Sequence, residues 1–126
     1  MEVEMKIAIP VDEKDLNTTV CVSFGRAPFF MIYDTASKAY DFLDNSAAAS
    51  SGGAGIKASQ SIVNQGVEIL ITPRCGENAA DVLKAADIQM FQSKKGLGKD
   101  NVTLYLNNEL SPLSAIHEGF HNHGGK

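Results

Sequence analysis

Val67-Glu68-Ile69-Leu70-Ile71-Thr72 is a short apolar run, rich in β-branched residues and bounded by Gly66 and Pro73. That pattern reads as a buried strand, and its neighbours decide how it is used. Immediately upstream, the chain from Ala54 carries Ile56, Ile62 and Val63 at positions able to face a sheet, and Gln65-Gly66 marks a helix end. Further upstream, Lys6-Ile7-Ala8-Ile9-Pro10-Val11 is a second buried run closed by Asp12, with its proline near the end, where a strand tolerates one. A strand, a helix and a strand at this spacing make a right-handed crossover, so the strand at Val67 enters a sheet by a parallel connection.

Working outward, Phe29-Phe30-Met31-Ile32-Tyr33-Asp34 is a further strand, and Thr35-Ala36-Ser37-Lys38 is a polar turn. Tyr40-Asp41-Phe42-Leu43-Asp44 then alternates apolar and polar residues, as a half-exposed antiparallel partner does. Asn45 to Gly55, rich in Ser, Ala and Gly, has neither period nor bulk and is expected to be a flexible loop. Beyond the junction Pro73-Arg74-Cys75-Gly76, the residues Ala79, Val82, Leu83 and Ala86 define one helix face. Asp87-Ile88-Gln89-Met90-Phe91 is the fifth strand, at an edge, and Val102 to Leu110 carries a weaker helical pattern. The expectation is an α/β fold with a five-stranded mixed sheet. Residues 1–113 form one domain and residues 114–126 a flexible, His-bearing tail.

The chain of 126 residues, 44% hydrophobic, can bury one core of ordinary size. Its net charge of -4 argues against broad binding to nucleic acid or to an anionic membrane, both of which attract surplus Lys and Arg. No apolar stretch is long enough to span a bilayer. The opening Met1-Glu2-Val3-Glu4 lacks the basic and apolar regions of a signal peptide, so a reducing cytoplasm and free thiols at Cys21 and Cys75 are expected.

Three features can carry chemistry. The first is the pair of glycine-containing helix entrances, Ser50-Ser51-Gly52-Gly53-Ala54-Gly55 and Cys75-Gly76-Glu77-Asn78. Backbone N–H groups at the carboxyl ends of strands in an open α/β sheet attract anions, although glycines there also serve tight turns and close packing. Neither stretch matches a phosphate loop or a dinucleotide fingerprint. The second is the cysteine pair. Cys75 precedes a helix, a position that lowers a thiol pKa, and Cys21 follows the first strand, so the two thiols can share one rim as metal ligands. Isolated cysteines also serve as small buried hydrophobes, and two thiols lack the spacing of a closed zinc or iron-sulfur site. The third is the segment His117 to His123, which holds all three histidines. His117 and His121 share a face in a helix, and His121 and His123 share one in a strand, so either form chelates a metal ion, as a disordered tail also does adventitiously. Asp12 and Asp34 do not complete a two-metal carboxylate cluster. With every histidine in the tail, no nucleophilic triad is in order.

Lys6 to Pro10, the run Val20-Cys21-Val22-Ser23-Phe24-Gly25-Arg26-Ala27-Pro28-Phe29-Phe30, Gly53-Ala54-Gly55-Ile56 and Cys75-Gly76-Glu77-Asn78-Ala79 together resemble the dinitrogenase iron-molybdenum cofactor biosynthesis family. The resemblance runs from about Lys6 to Leu113. It implies a ribonuclease-H-like fold with sheet order 3-2-1-4-5. It also implies a non-enzymatic binding or carrier protein for an iron-sulfur or iron-molybdenum-type cluster or its precursor. Cys21, Ser23, Arg26, Gly53, Gly55, Cys75 and Gly76 would form the binding rim, and a cluster-assembly or acceptor protein would be the partner. Ser23 stands where the family's carriers place a cluster-binding histidine before Phe-Gly, and serine is a poor ligand beside imidazole or thiolate. Gly52 likewise replaces a histidine common in stand-alone relatives. Cys21, Cys75, Arg26 and the histidines at 117, 121 and 123 are the substitutes that remain. An interaction module for a partner protein or a small phosphorylated ligand at the same rim is the alternative.

Overall fold

A computed structural model of the chain describes residues 4–114 and 116–117. In chain order its elements are β1 (Lys6–Val11), β2 (Phe29–Asp34), β3 (Ala39–Asp44), a 3₁₀ turn (Ser46–Ala49), α1 (Ala54–Asn64) and β4 (Ile69–Thr72). There follow β5 (Cys75–Gly76), α2 (Glu77–Ala85), β6 (Gln89–Gln92), α3 (Gly98–Leu106) and β7 (Ile116–His117). Five strands form one sheet in the order β3-β2-β1-β4-β6. β2 lies antiparallel to both β1 and β3, whereas β4 lies parallel to both β1 and β6. This is the expected mixed sheet, with the fifth expected strand appearing as β6.

The twofold period of β1 explains why both faces of the sheet are covered. Ile7, Ile9 and Val11 point to the side packed by Val102 of α3, together with Met31, Ile69 and Ile71. Ala8 points to the other side, where Ala58 and Ile62 of α1 and Ala80 and Leu83 of α2 meet Phe30, Ile32 and Leu70. A strand buried on both faces must be apolar at consecutive positions, which is why β1, β2 and β4 read as continuous runs. β1 pairs with β4 at Ile7 and Ala8, so Pro10 sits past that ladder, where its missing N–H breaks no bond with β4.

Three expectations change. The Asn45 to Gly55 stretch is not a structureless loop: its 3₁₀ turn buries Ala47, and the buried Asn45 amide donates to the carbonyls of Gly25 at 3.1 Å and Ala27 at 2.8 Å. α3 starts at Gly98, earlier than the apolar pattern indicates. A Cβ at Gly98 would lie 3.1 Å from Val11 Cγ1 and 3.2 Å from Met31 Sδ, so a larger residue here would have to push those side chains aside by a few tenths of an ångström. Asn101 secures the preceding turn by donating to the Lys94 and Leu97 carbonyls and accepting from the Lys94 N–H. Finally, the chain beyond α3 returns to the sheet. The Gln92 N–H donates to the Ser111 carbonyl at 2.8 Å and the Leu113 N–H to the Met90 carbonyl at 3.0 Å, which covers the exposed edge of β6. Ile116 and His117 then run parallel to Cys75 and Gly76, so the region expected to be tail from residue 114 contributes β7.

Candidate functional site

The parallel strands β1 and β4 end on the same side of the sheet, and the loops that follow them meet there. The first runs from Cys21 to Arg26. Its ends are fixed by the Cys21 N–H on the Pro10 carbonyl at 2.8 Å and by the Ser23 hydroxyl, which accepts the Arg26 N–H at 3.1 Å. Phe24 is buried against Phe30 with ring centroids 5.4 Å apart, so the loop is pinned by an aromatic anchor as well as by hydrogen bonds. The Arg26 guanidinium donates to the carbonyls of Ala48 at 3.0 Å and Ser50 at 2.7 Å, tying this loop to the 3₁₀ turn that leads into α1.

Glycine is required where the loop crosses α1. A Cβ on Gly25 would lie 2.9 Å from both the Cα and the N of Gly55, closer than any side chain tolerates. Gly55 in turn lies against Ala79 of α2, and the Ser59 hydroxyl bonds the carbonyls of Gly55 and Ala79, locking the starts of α1 and α2 side by side. Gly53, with φ of +69°, is the N-cap of α1 and Gly76 that of α2, so neither N-cap residue supplies a side-chain cap. Two helix N-termini with glycine at the N-cap therefore open toward one place, a geometry suited to receiving an anion. Glu77, in the first turn of α2, opposes this at the second helix.

The result is a cleft of about 590 Å³ whose lining is mainly apolar. Ser23, Arg26, Gly53, Gly55, Cys75 and Gly76 all line it, so six of the seven expected rim residues come together. Cys21 does not: it is buried beside Asp12 at the base of its loop and is absent from the lining. Asn78, from the helix entrance already singled out, joins the lining, and the residues that sequence reasoning did not place there are Arg74 and the apolar Val22 and Ile56, which stand at the cleft with partly or fully exposed side chains. Arg74 was legible in principle, because it immediately precedes Cys75 at the end of a central strand; Ile56, expected to face the sheet with Ile62, instead stands 36% exposed at the cleft, and Val22 gave no signal apart from exposure, which a sequence does not carry.

Both cysteines are free and buried. Helix placement suggested a lowered thiol pKa at Cys75, and the structure reverses this. Burial pushes the Cys75 thiol up to about 11, outweighing the pull of Lys84 in the opposite direction. Cys21 is raised as well, first by burial and further by the Asp12 carboxylate, against the backbone groups of Ser23 and Val22. Among the described residues no three His, Cys, Asp or Glu side chains cluster to hold a metal ion. His117 lies in β7 opposite Gly76, while His121 and His123 fall outside the described residues. The donor set thus does not fit a cluster ligated by several protein thiolates. It fits an anion held by N–H groups and guanidinium with Cys75 at the wall. No helix among the described residues is long and apolar enough to cross a membrane.

Against known proteins, no curated sequence matches the chain. Among solved structures, the apo form of the orange protein from Desulfovibrio gigas superposes with a TM-score of 0.82 at 31% identity, covering 88% of this chain and 94% of that one. A proposed NifB protein from Thermotoga superposes with a TM-score of 0.78 at 36% identity, covering 86% and 93% of the two chains. A proposed dinitrogenase from Methanocaldococcus jannaschii, at 20% identity and a TM-score of 0.70, shares the fold over 90% of this chain and 99% of its own. Residues 5–108 match the family described as dinitrogenase iron-molybdenum cofactor, and the chain belongs to that family.

Proposed function

We propose that this protein is a non-enzymatic carrier that holds an iron-sulfur or iron-molybdenum-type cluster, or its precursor, in the cleft between the Cys21–Arg26 loop and the starts of α1 and α2. The observation that carries this reading is the convergence of two helix N-termini with glycine at the N-cap and two arginines on one largely apolar cleft. Sulfide-bearing clusters are anionic and polarisable. Backbone N–H groups bond their sulfides, guanidinium offsets their charge, and apolar walls exclude water that would hydrolyse them. Arg74 is exposed and forms no ion pair among the described residues, which leaves it available to the cargo, whereas Arg26 is partly engaged by the Ala48 and Ser50 carbonyls. The family to which the chain belongs supports the same class of cargo. A carrier of this kind works in a reducing cytoplasm and passes its cargo to an assembly or acceptor protein.

Anaerobic reconstitution with iron and sulfide tests the proposal. The expected outcome is a visible chromophore at a fixed ratio to protein that Cys75→Ala weakens strongly and Cys21→Ala weakens little, since only Cys75 lines the cleft. No chromophore in the intact chain would sink it.

A further inference from the structure

We propose that the loop Ser93 to Lys99, beside the cleft, is a docking surface for an acidic patch on a partner protein. Between Asp87 and Asp100 the chain carries three lysines, Lys94, Lys95 and Lys99, and no carboxylate. In a chain of net charge -4 such a run is a local reversal of sign. Topology sets it against the cleft. β4 and β6 are parallel, with Thr72 opposite Gln92, so the segments that follow them leave the sheet side by side. The Ser93 N–H donates to the Thr72 carbonyl at 3.1 Å and the Gln92 amide to the Pro73 carbonyl at 2.7 Å, which brings the lysine loop next to Arg74 at the cleft wall. Arg74, Lys94 and Lys95 are exposed, and neither they nor Lys99 has an ion-pair partner among the described residues.

The loop is held in shape from both flanks. On one side the buried Asn101 bonds the Lys94 N–H and the carbonyls of Lys94 and Leu97. On the other, the Val20 N–H donates to the Gly96 carbonyl and the Gly98 N–H to the Thr18 carbonyl, each at 3.0 Å. A loop already ordered loses little entropy on docking. A fixed group of unpaired cations steers and registers a complementary acidic patch. Asp100 follows the loop in the chain, and Asp12, bonded to Thr19, stands near Leu97 through the bridge between Thr19 and Leu97. A discrete acidic patch fits between these carboxylates, which repel the continuous phosphates of a nucleic acid or an anionic membrane. That the partner is the acceptor of the cargo rests on the carrier reading; the surface itself does not.

The test is a chemical-shift titration of the intact chain without metal, using a polyglutamate peptide beside duplex DNA and phosphatidylglycerol vesicles. Saturable shifts are expected at the amides of Arg74 and of Ser93 to Lys99, fading as salt is raised. Lys94→Glu combined with Lys95→Glu should weaken the peptide about tenfold or more with the thermal midpoint unchanged. Lys38→Glu combined with Lys84→Glu, at two exposed lysines outside the loop, makes the same change in net charge and should weaken it little. Shifts absent from the loop, equal losses in the two double variants, or DNA or vesicles bound there as tightly as the peptide would overturn the proposal. No metal enters these readouts, so their failure leaves the carrier proposal standing, and a failed reconstitution leaves the docking surface to be judged on its own shifts.

Discussion

Cys75 shows how one residue's surroundings redirect its chemistry. Its place before α2 favours a thiolate, but enclosure by the cores of two helices and a strand end removes the water that would stabilise the charge, and burial wins. At neutral pH the side chain is a thiol, and any metal bound there must displace a proton. The folded pKa lies above the ordinary value of 9.0, so the stability that follows from it is fully present below pH 9 and is lost as pH rises toward about 11. In a Cys21→Ala background, ultraviolet absorbance of the thiolate should titrate well above pH 9, with unfolding midpoints declining over the same interval. A titration midpoint at or below 9 would show that the thiol is not enclosed as described. Arg26 and Arg74 divide two tasks that a sequence cannot separate. Arg26 spends part of its guanidinium on the carbonyls of Ala48 and Ser50, while Arg74 reaches the cleft from an exposed position.

At the scale of elements, the strands were legible because each is a run of apolar residues with a period that only a sheet satisfies. Ile7, Ile9 and Val11 face α3 while Ala8 faces α1 and α2, and the alternation of β3 reflects its half-exposed edge. All three glycine positions in the rim, Gly53, Gly55 and Gly76, were named from the sequence because glycine at a helix entrance is itself a signal, but the reason for Gly55 was not legible. It lies in the approach of Gly25, thirty positions earlier in the chain, and that contact exists only in three dimensions. The 3₁₀ turn escaped for the same cause: Ser46 to Ala49 has no periodic pattern, and its order comes from Asn45 and Arg26 bonding across the loop. Gly25→Ala puts a methyl group 2.9 Å from the Gly55 backbone. Overpacking of this kind costs about 1–3 kcal/mol, so urea unfolding should show a clear fall in midpoint, and an unchanged midpoint would mean that the loop does not rest on α1.

For the whole molecule, the layers determine where a ligand can go. Helices cover both faces of the sheet, the segment from Ser111 to Leu113 covers the edge at β6, and the carboxyl ends of β1 and β4 are left as the open margin. That margin is where two helix starts converge, and its location followed from the order of strands and helices. The composition of its wall did not. Cys21 was expected there because β1 and β4 are neighbours, but the loop after β1 turns its thiol toward Asp12 and presents Val22 and Ser23 to the cleft. Histidines at 121 and 123 lie outside the described residues, and His117 enters through the pairing of β7 with β5, a contact between segments with no shared pattern. The central claim is that this margin retains an anionic cluster. Its most direct test is elemental analysis for iron, molybdenum and sulfide in protein purified without air, beside an Arg74→Glu variant whose exposed substitution leaves the fold unstrained. The expected result is metal and sulfide at a constant ratio to the intact chain and a loss of about tenfold or more on charge reversal with thermal stability unchanged. An intact chain without metal, or a variant that keeps it equally well, would contradict the account.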